Sequence, residues 1–325
     1  MVSIVIPVYN EEEIFHILHE RVSAGIRQTG EDYEIVYVND GSRDRSLPIM
    51  LDTQKRDPHV VVIDLSRNWG HMGAIYAGLK TAKGDAVVLM DGDLQDPPEV
   101  IPQFVEKWRN GAQVVTAVRR SRQESRKGLG VLFALWHKLF DKISDFKIPE
   151  NSGVFGLCDR QAMDAVNSLT ERNRYFPGLR AWVGYRNEVV YYDRADRAGG
   201  EGKLSFMSRI KYATDAIYTF SYKPLRLAML MGGLTLALAL ILALVAFTSA
   251  GSWAAYVGLL AAVAFVGSLQ LICLGVFAEY IARIYDEIRA RPISLINRIY
   301  RAERTTGLQY EELPSAASEE QLRAA

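Results

Sequence analysis

Apolar and polar positions fall in blocks along the chain, and the period changes from block to block. Five short runs rich in Val and Ile, at Val2–Ile6, Tyr33–Val38, Val60–Asp64, Ala86–Met90 and Gln113–Ala117, are nearly continuous in apolar residues. Such runs suit strands covered on both faces. Between them, residues 11–29, 44–56, 72–82 and 98–110 carry helix-like spacing. Strands and helices taking turns predict an α/β fold, a mostly parallel sheet with helices on either side. In such sheets ligands lie beyond the carboxyl ends of the strands. The segments leaving those ends are PVYNEE, NDGSRD, SRNWGH and DGDLQDPP, all polar and all bearing Gly or Pro.

The pattern changes after residue 226. From Leu227 to Ala278 there is no Asp, Glu, Lys, Arg or His, an uncharged run of 52 residues. That length holds two transmembrane helices of roughly 20 residues each. Thr248–Trp253 supplies a polar break between them. A buried hairpin in a soluble protein is the competing reading, and so long a run without a charge disfavours it. Lys203, Arg209, Lys211, Lys223 and Arg226 precede the run; Arg283, Arg289, Arg291, Arg298, Arg301 and Arg304 follow it. The positive-inside rule then puts both termini on the cytoplasmic side of a membrane. Residues 204–226 mix aromatics, Leu and Ile with cations, which suits amphipathic juxtamembrane helices in the headgroup region. Gly232, Gly233, Gly258 and Gly267 permit close packing of the spans, hence a homo-oligomer through the membrane helices. The expected division is a domain over 1–203, juxtamembrane helices over 204–226, two spans over 227–282, and a basic segment and disordered tail over 283–325.

Composition narrows the partner classes. Lys plus Arg and Asp plus Glu each number 38 in 325 residues, a balance that argues against a nucleic-acid binder. Cys158 and Cys273 are far apart and suggest neither a disulfide framework nor a zinc site. The start, MVSIVIPVYNEEE, lacks the basic region of a signal peptide. No Gly-x-Gly-x-x-Gly follows the first strand, and Gly202–Lys203 has Arg197 where a P-loop needs its first glycine. A dehydrogenase and a P-loop NTPase are thereby disfavoured. The carboxylates of LMDGDLQDPPEV, residues 89–100, read two ways. Asp-Gly-Asp before Pro-Pro is ordinary turn chemistry ahead of a helix. At the end of a strand, beside three other polar loops, the same cluster is a candidate site. The basic stretch RRSRQESRK, residues 119–127, reads either as a solvated loop or as a phosphate-attracting lid.

IVIPVYNEEE, VNDGSRDRS, SRNWGHMGAIYAGL, DGDLQDPPE and RADRAGGEGKLSF occur in this order. Together they resemble the inverting family 2 glycosyltransferases of GT-A fold, through about residues 1–220. Within that family the likeness is to enzymes that make polyprenyl-phosphate sugars, the dolichol-phosphate mannose synthases and undecaprenyl-phosphate glycosyltransferases. The C-terminal pair of spans resembles the bacterial glucosyltransferases of O-antigen glucosylation. The resemblance implies transfer of a hexose, foremost glucose from UDP-glucose, to polyprenyl phosphate with inversion. GDP-mannose is the alternative donor. A processive polysaccharide synthase is disfavoured because Leu179-Arg-Ala-Trp182 lacks the Gln-x-x-Arg-Trp pattern. A catalytically silent membrane scaffold would not need the acidic and basic motifs together.

The same resemblance distributes roles. A nucleotide-sugar donor leaves as a diphosphate, whose charge a bound Mg²⁺ or Mn²⁺ neutralises. Asp93 and Asp91 are the implied metal and catalytic pair, with the metal foremost on Asp93 and Asp91 near the donor. Gln95 is their neighbour, while Asp96 and Glu99 are expected to cap the next helix. Pro7, Tyr9 and Glu11 resemble the nucleotide-entry motif, Asp40 the carboxylate that accepts from the base, and Asn68 and Gly70 the third loop of the pocket. His71 is read as structural. The acceptor phosphate, largely ionised at neutral pH, needs cations rather than a general base. Arg197 and Lys203 match the Arg-x-x-Gly-Glu-x-Lys pattern, with Arg119 and Arg126 as further candidates. Two departures stand out. Asn151-Ser-Gly-Val-Phe155 replaces a Gly-Asp-Phe-Arg stretch, so Val154 and Gly156 lack polar groups, and Gly202 replaces a Ser or Thr.

Overall fold

The computed structural model describes residues 1–120, 149, 151–169, 171, 174–194, 231–235, 237, 238, 240, 241 and 253–302. The chain divides into two units: Met1–Val131, Phe146–Lys203 and Pro292–Ala325 form one, Leu132–Asp145 and Leu204–Arg291 the other.

In the first unit the elements run β1 (Val2–Val8), α1 (Phe15–Arg27), β2 (Tyr33–Asn39), α2 (Ser46–Arg56), β3 (Val60–Leu65), α3 (His71–Thr81) and β4 (Ala86–Leu89). A 3₁₀ turn (Pro98–Val100) leads into α4 (Ile101–Arg109), then β5 (Val114–Arg119), β6 (Ser152–Asp159), α5 (Arg160–Ser168), α6 (Phe176–Trp182) and β7 (Asn187–Tyr192). A last strand, β8 (Ile296–Arg301), completes one eight-stranded sheet of order β7-β5-β6-β4-β1-β2-β3-β8. The five expected strands and four expected helices all form. β1, β2, β3 and β4 pair in parallel, as do β5 and β7, whereas β6 and β8 run against their neighbours.

The continuous apolar runs have the cause the pattern suggested: β1 through β4 are buried at every position. On one face Ile4, Ile6, Ile35, Tyr37, Val60 and Val62 pack with Phe15, Leu18, Val22 and Ile26 of α1, Met50 of α2 and Phe104 of α4. On the other, α3 approaches so closely that a Cβ on Gly78 would collide with Val5 and lie 2.9 Å from Val38. Pro7 belongs to β1 beyond the last rung shared with β4, which is Val5–Leu89, so its missing N–H breaks no ladder there.

The strand directions place the loops after β1, β2, β3, β4, β5 and β7 on one edge of the sheet. The leads into the antiparallel β6 and β8 reach that same edge. β8 was not expected: INRIYR lies inside what reads as a basic flank. Its Arg301 donates to the buried Glu34 on β2 at 2.9 Å, so this arginine closes a fold contact.

In the second unit one helix, α7 (Trp253–Ile288), is 36 residues long. Its stretch Gly258–Ile288 is long and apolar enough to cross a membrane. It runs past the expected end at 282, carrying Glu279 and Arg283 as an i,i+4 ion pair at 2.8 Å. Of the first expected span, residues 231–235, 237, 238, 240 and 241 are described, all helical. The expected amphipathic helices over 204–226, the disordered tail beyond 307 and the basic residues 121–127 lie outside the described residues.

Candidate active site

Four loops meet at the carboxyl edge: loop 1 (residues 9–14), loop 2 (40–45), loop 3 (66–70) and loop 4 (90–97). Loops 1 and 2 are zipped together. Asn10 N–H donates to Ser42 Oγ at 3.1 Å, Glu11 N–H to Ser46 Oγ at 2.9 Å, and Arg43 N–H to Asn10 Oδ1 at 2.8 Å. Pro7 is buried, and Tyr9 and Glu11 are half-buried on the loop that follows. Loop 3 hangs on loop 2 through Asp40, whose Oδ1 accepts from the Trp69 N–H at 2.7 Å. Burial raises the Asp40 pKa, and the Trp69 and Gly70 amides and the charges of His71 and Arg67 pull it back. The motif residue Asp40 therefore has a holding task of its own. Asn68 is exposed and its Oδ1 accepts from the Gly70 N–H at 3.1 Å, ahead of α3.

Loop 4 alternates. Asp91, Asp93 and Gln95 are half-buried, whereas Gly92, Leu94 and Asp96 are buried. Asp91, Asp93 and Gln95 thus share the accessible side. Leu94 holds a left-handed φ of 58°, and a Cβ on Gly92 would stand 2.9 Å from the Pro7 carbonyl oxygen. Loop 4 can reach loop 1 this closely because residue 92 is glycine. Asp93 Oδ1 accepts from the Gln95 N–H at 3.2 Å.

His71, set aside in the sequence as structural, begins α3 with Nε2 3.2 Å from Asp91 Oδ1. The distance is that of an ion pair, but Asp91 Oδ1 is buried without a hydrogen-bond partner. Burial would lower the His71 pKa, yet Asp91, with Asp40 and Asp93 nearby, holds it above its ordinary value. Burial would raise Asp91, but His71, with Arg194 and Arg119 behind it, keeps it below the usual carboxylate value. The signal for His71 was its place: it is the next residue after a loop already suspected.

Asp96 and Glu99 do not cap a helix. Glu99 pairs with Arg21 of α1, two guanidinium N–H groups donating at 2.8 Å. Asp96 is 1% exposed and accepts from the Tyr192 hydroxyl at 2.6 Å, with Arg119 Nη2 at 4.0 Å. Burial, and then the charge of Asp91, push its pKa up to about 6 against the pull of Tyr192, Arg119 and Arg194. The reason is directional: Leu94 turns the chain so that residue 96 points into the protein, where β5 and β7 end. Arg119, a sequence candidate, donates from Nε to Tyr192 Oη at 3.0 Å. Arg194, not singled out from the sequence, acts on the same carboxylates. Arg126, Arg197 and Lys203 lie outside the described residues.

Among the described residues no group of three or more His, Cys, Asp or Glu side chains could hold a metal alone. The donor set still suits a hard cation: a buried carboxylate oxygen on Asp91 that has His71 Nε2 at 3.2 Å and no further hydrogen-bond partner, and a second carboxylate on the same side of the loop. Mg²⁺ and Mn²⁺ commonly take few protein ligands and complete their shell with phosphate oxygens and water.

A doubly covered α/β sheet with acidic and glycine-bearing loops converging at its carboxyl edge defines a nucleotide-sugar transferase type of architecture. Residues 3–166 match the family described as Glycosyl transferase family 2, and residues 223–284 match one described as GtrB C-terminal hairpin. The chain is 39% identical to an uncharacterized glycosyltransferase of Synechocystis sp., over 95% of this chain and 96% of that one. It is 37% identical to a prophage bactoprenol glucosyl transferase homolog of Escherichia coli K12, over 92% of this chain and 99% of that one. The crystal structure of glucosyl-3-phosphoglycerate synthase from Mycobacterium tuberculosis with Mn²⁺, UDP-glucose and phosphoglyceric acid superposes on 67% of this chain and 79% of that one. That match has 18% identity and a TM-score of 0.45. The protein belongs to glycosyl transferase family 2 and is a glycosyltransferase.

Proposed function

We propose that the protein transfers glucose from UDP-glucose to a polyprenyl phosphate at the cytoplasmic face of a membrane, inverting the anomeric centre. The observation that carries this reading is the end-to-end likeness to a bactoprenol glucosyl transferase homolog, catalytic domain and C-terminal hairpin alike. The loop arrangement supports it. Loops 1, 2 and 3 form the nucleotide pocket from Pro7, Tyr9, Glu11, Asp40, Asn68 and Gly70, and Asp91, Asp93 and Gln95 face the diphosphate and sugar. Asp91 and Asp93 would hold Mg²⁺ or Mn²⁺, which when bound neutralises the charge of the leaving diphosphate. His71 keeps Asp91 ionised. Arg119, Arg126, Arg197 and Lys203 hold the acceptor phosphate, whose ionised oxygen attacks the anomeric carbon from the face opposite the nucleotide.

Topology supports a two-span anchor. The chain leaves the sheet after β7 and re-enters it as β8 beside β3. Both ends of the intervening segment are therefore on one side of any membrane, which requires an even number of crossings. The apolar stretch in α7 supplies one, and the uncharged residues 227–247 supply the second.

The test incubates purified full-length protein with undecaprenyl phosphate, Mg²⁺ or Mn²⁺ and a panel of labelled UDP- and GDP-sugars. Label from UDP-glucose in the lipid fraction is expected. Labelling by GDP-mannose alone would overturn the donor, and labelling by none would overturn the polyprenyl acceptor.

A further inference from the structure

The segment that follows α7 returns to the nucleotide loops themselves. Register passes from Asp64–Arg298 to Leu65–Ile296 along the β3–β8 ladder, so Asn297 is the extra residue of a β-bulge. A bulge of this kind re-aims a side chain. Asn297 Nδ2 donates to Asp64 Oδ2 at 2.8 Å, and the other oxygen of Asp64 accepts from Asn39 Nδ2 at 2.7 Å. Asp64 is 8% exposed and Asn39 2%. A carboxylate accepts only, so it fixes which way round the Asn39 amide stands. Asn39 Oδ1 then accepts from the Ser42 N–H at 3.1 Å, holding loop 2 at the residue that also binds loop 1.

Loop 3 is held by the same segment. Ser66 N–H donates to the Leu295 carbonyl at 2.9 Å, and Ser294 Oγ to the Gly73 carbonyl at 3.0 Å. A Cβ on Gly73 would stand 2.8 Å from Trp69 Cβ and 3.5 Å from the Ile293 carbonyl oxygen, so α3, loop 3 and residues 293–294 are in close contact.

We propose that residues 294–297 set the geometry of the nucleotide pocket, with Asn297 as a positioning residue acting through Asp64 and Asn39 on loop 2. The inference rests on the reading that loops 1 to 3 take the nucleotide. It gives the chain beyond the apolar helix a task in donor binding, over and above closing the sheet edge.

The test measures UDP affinity by calorimetry on the detergent-solubilised full chain with saturating Mn²⁺, beside donor KM, kcat and thermal stability. Asn297→Asp sets two carboxylates against each other and Asn297→Ala removes the donor. Each is expected to weaken UDP binding and raise donor KM about tenfold, with kcat changed less than about twofold. The double variant Asp64→Asn/Asn297→Asp restores every donor and acceptor, since the new amide at position 64 accepts from Asn39 and donates to the new carboxylate at position 297. It should bring affinity back within about threefold of wild type. Arg301→Ala, at the far end of β8, should lower thermal stability and leave UDP affinity unchanged. Wild-type affinity in Asn297→Ala, or an equal loss in Arg301→Ala, overturns the inference while leaving the nucleotide reading intact. If the wild-type protein binds neither UDP nor GDP, the nucleotide reading fails and the inference falls with it.

Discussion

Replacing Asp96 by Asn should make the protein more stable at neutral pH, although it removes a hydrogen-bonded carboxylate. Asp96 is buried and its pKa stands near 6 rather than 3.8. A rise of that size is worth on the order of 3 kcal/mol. The sign follows from proton counting. Below about pH 3 the residue is protonated whether the chain is folded or not, and it imposes no penalty. As pH rises toward 6 the unfolded chain releases the proton while the folded chain keeps it, so unfolding is increasingly favoured. Above about 6 the penalty is complete and constant. Integrated from pH 4.5 to 7.5, the wild type should lose about 2 kcal/mol relative to Asp96→Asn, a shift of about 4–8 °C in melting temperature. The amide oxygen of Asn can still accept from Tyr192, so the comparison isolates the charge. Melting curves of both proteins across that pH range are the assay. Parallel curves would show that Arg119 and Arg194 fully compensate Asp96 and would refute the reasoning.

Three more outcomes follow from the site. Gly92→Ala places a methyl 2.9 Å from the Pro7 carbonyl oxygen and displaces loop 4; kcat should fall about 100-fold with the fold retained, and unchanged turnover would disprove the close approach. Asp93→Asn should reduce metal-dependent transfer at least about 100-fold in steady-state assays, and full metal-dependent activity would disprove its assignment as a ligand. His71→Gln should cost stability below about pH 6.5, where the imidazolium faces Asp91. Because the folded pKa is raised, that cost should fade as pH climbs through it, and a cost independent of pH in paired melts would count against the ion pair.

Strands β1 to β4 were readable because burial on both faces leaves a mark in composition, whereas β6, inside the sheet but starting with Ser152 and Gly153, was not expected. β7 and β8 left no such mark, since an edge strand is half exposed and NEVVYY and INRIYR carry polar residues accordingly. β8 was masked further by its arginines, which count as flanking charge until Glu34 is seen opposite Arg301. The site divided in the same way. Its loops were legible because glycine, proline and carboxylates cluster at strand ends. Which carboxylate faced outward came from the family resemblance, which set Asp91 and Asp93 apart from Asp96 and Glu99, and not from spacing. Spacing cannot show that Leu94 is left-handed, and that one φ separates Asp93 from Asp96.

The departure at residues 151–156 takes on a different meaning in three dimensions. Gly156 stands where the related stretch has arginine, which from sequence alone is a lost cation. A Cβ on Gly156 would collide with the Val115 carbonyl oxygen and lie 2.8 Å from Arg180 Nη1. Arg180, from α6, is 3% exposed, and its guanidinium donates to the carbonyls of Gly153, Val154 and Phe155 at 3.1 to 3.5 Å. Burial lowers its pKa, with Cys158 and Tyr175 acting the other way. A guanidinium therefore still stands at the head of β6, delivered by a helix 25 residues later in the chain. Gly156 and Arg180 are one arrangement: the glycine makes the space and the arginine fills it. The missing Asp at position 154 has no replacement on β6. Next to β6, Asp96 of loop 4 accepts from Tyr192, whose ring stands edge-on to that of Phe155 with 5.5 Å between centroids. Compared position by position, one strand loses an acid and a base; in three dimensions a guanidinium arrives from α6.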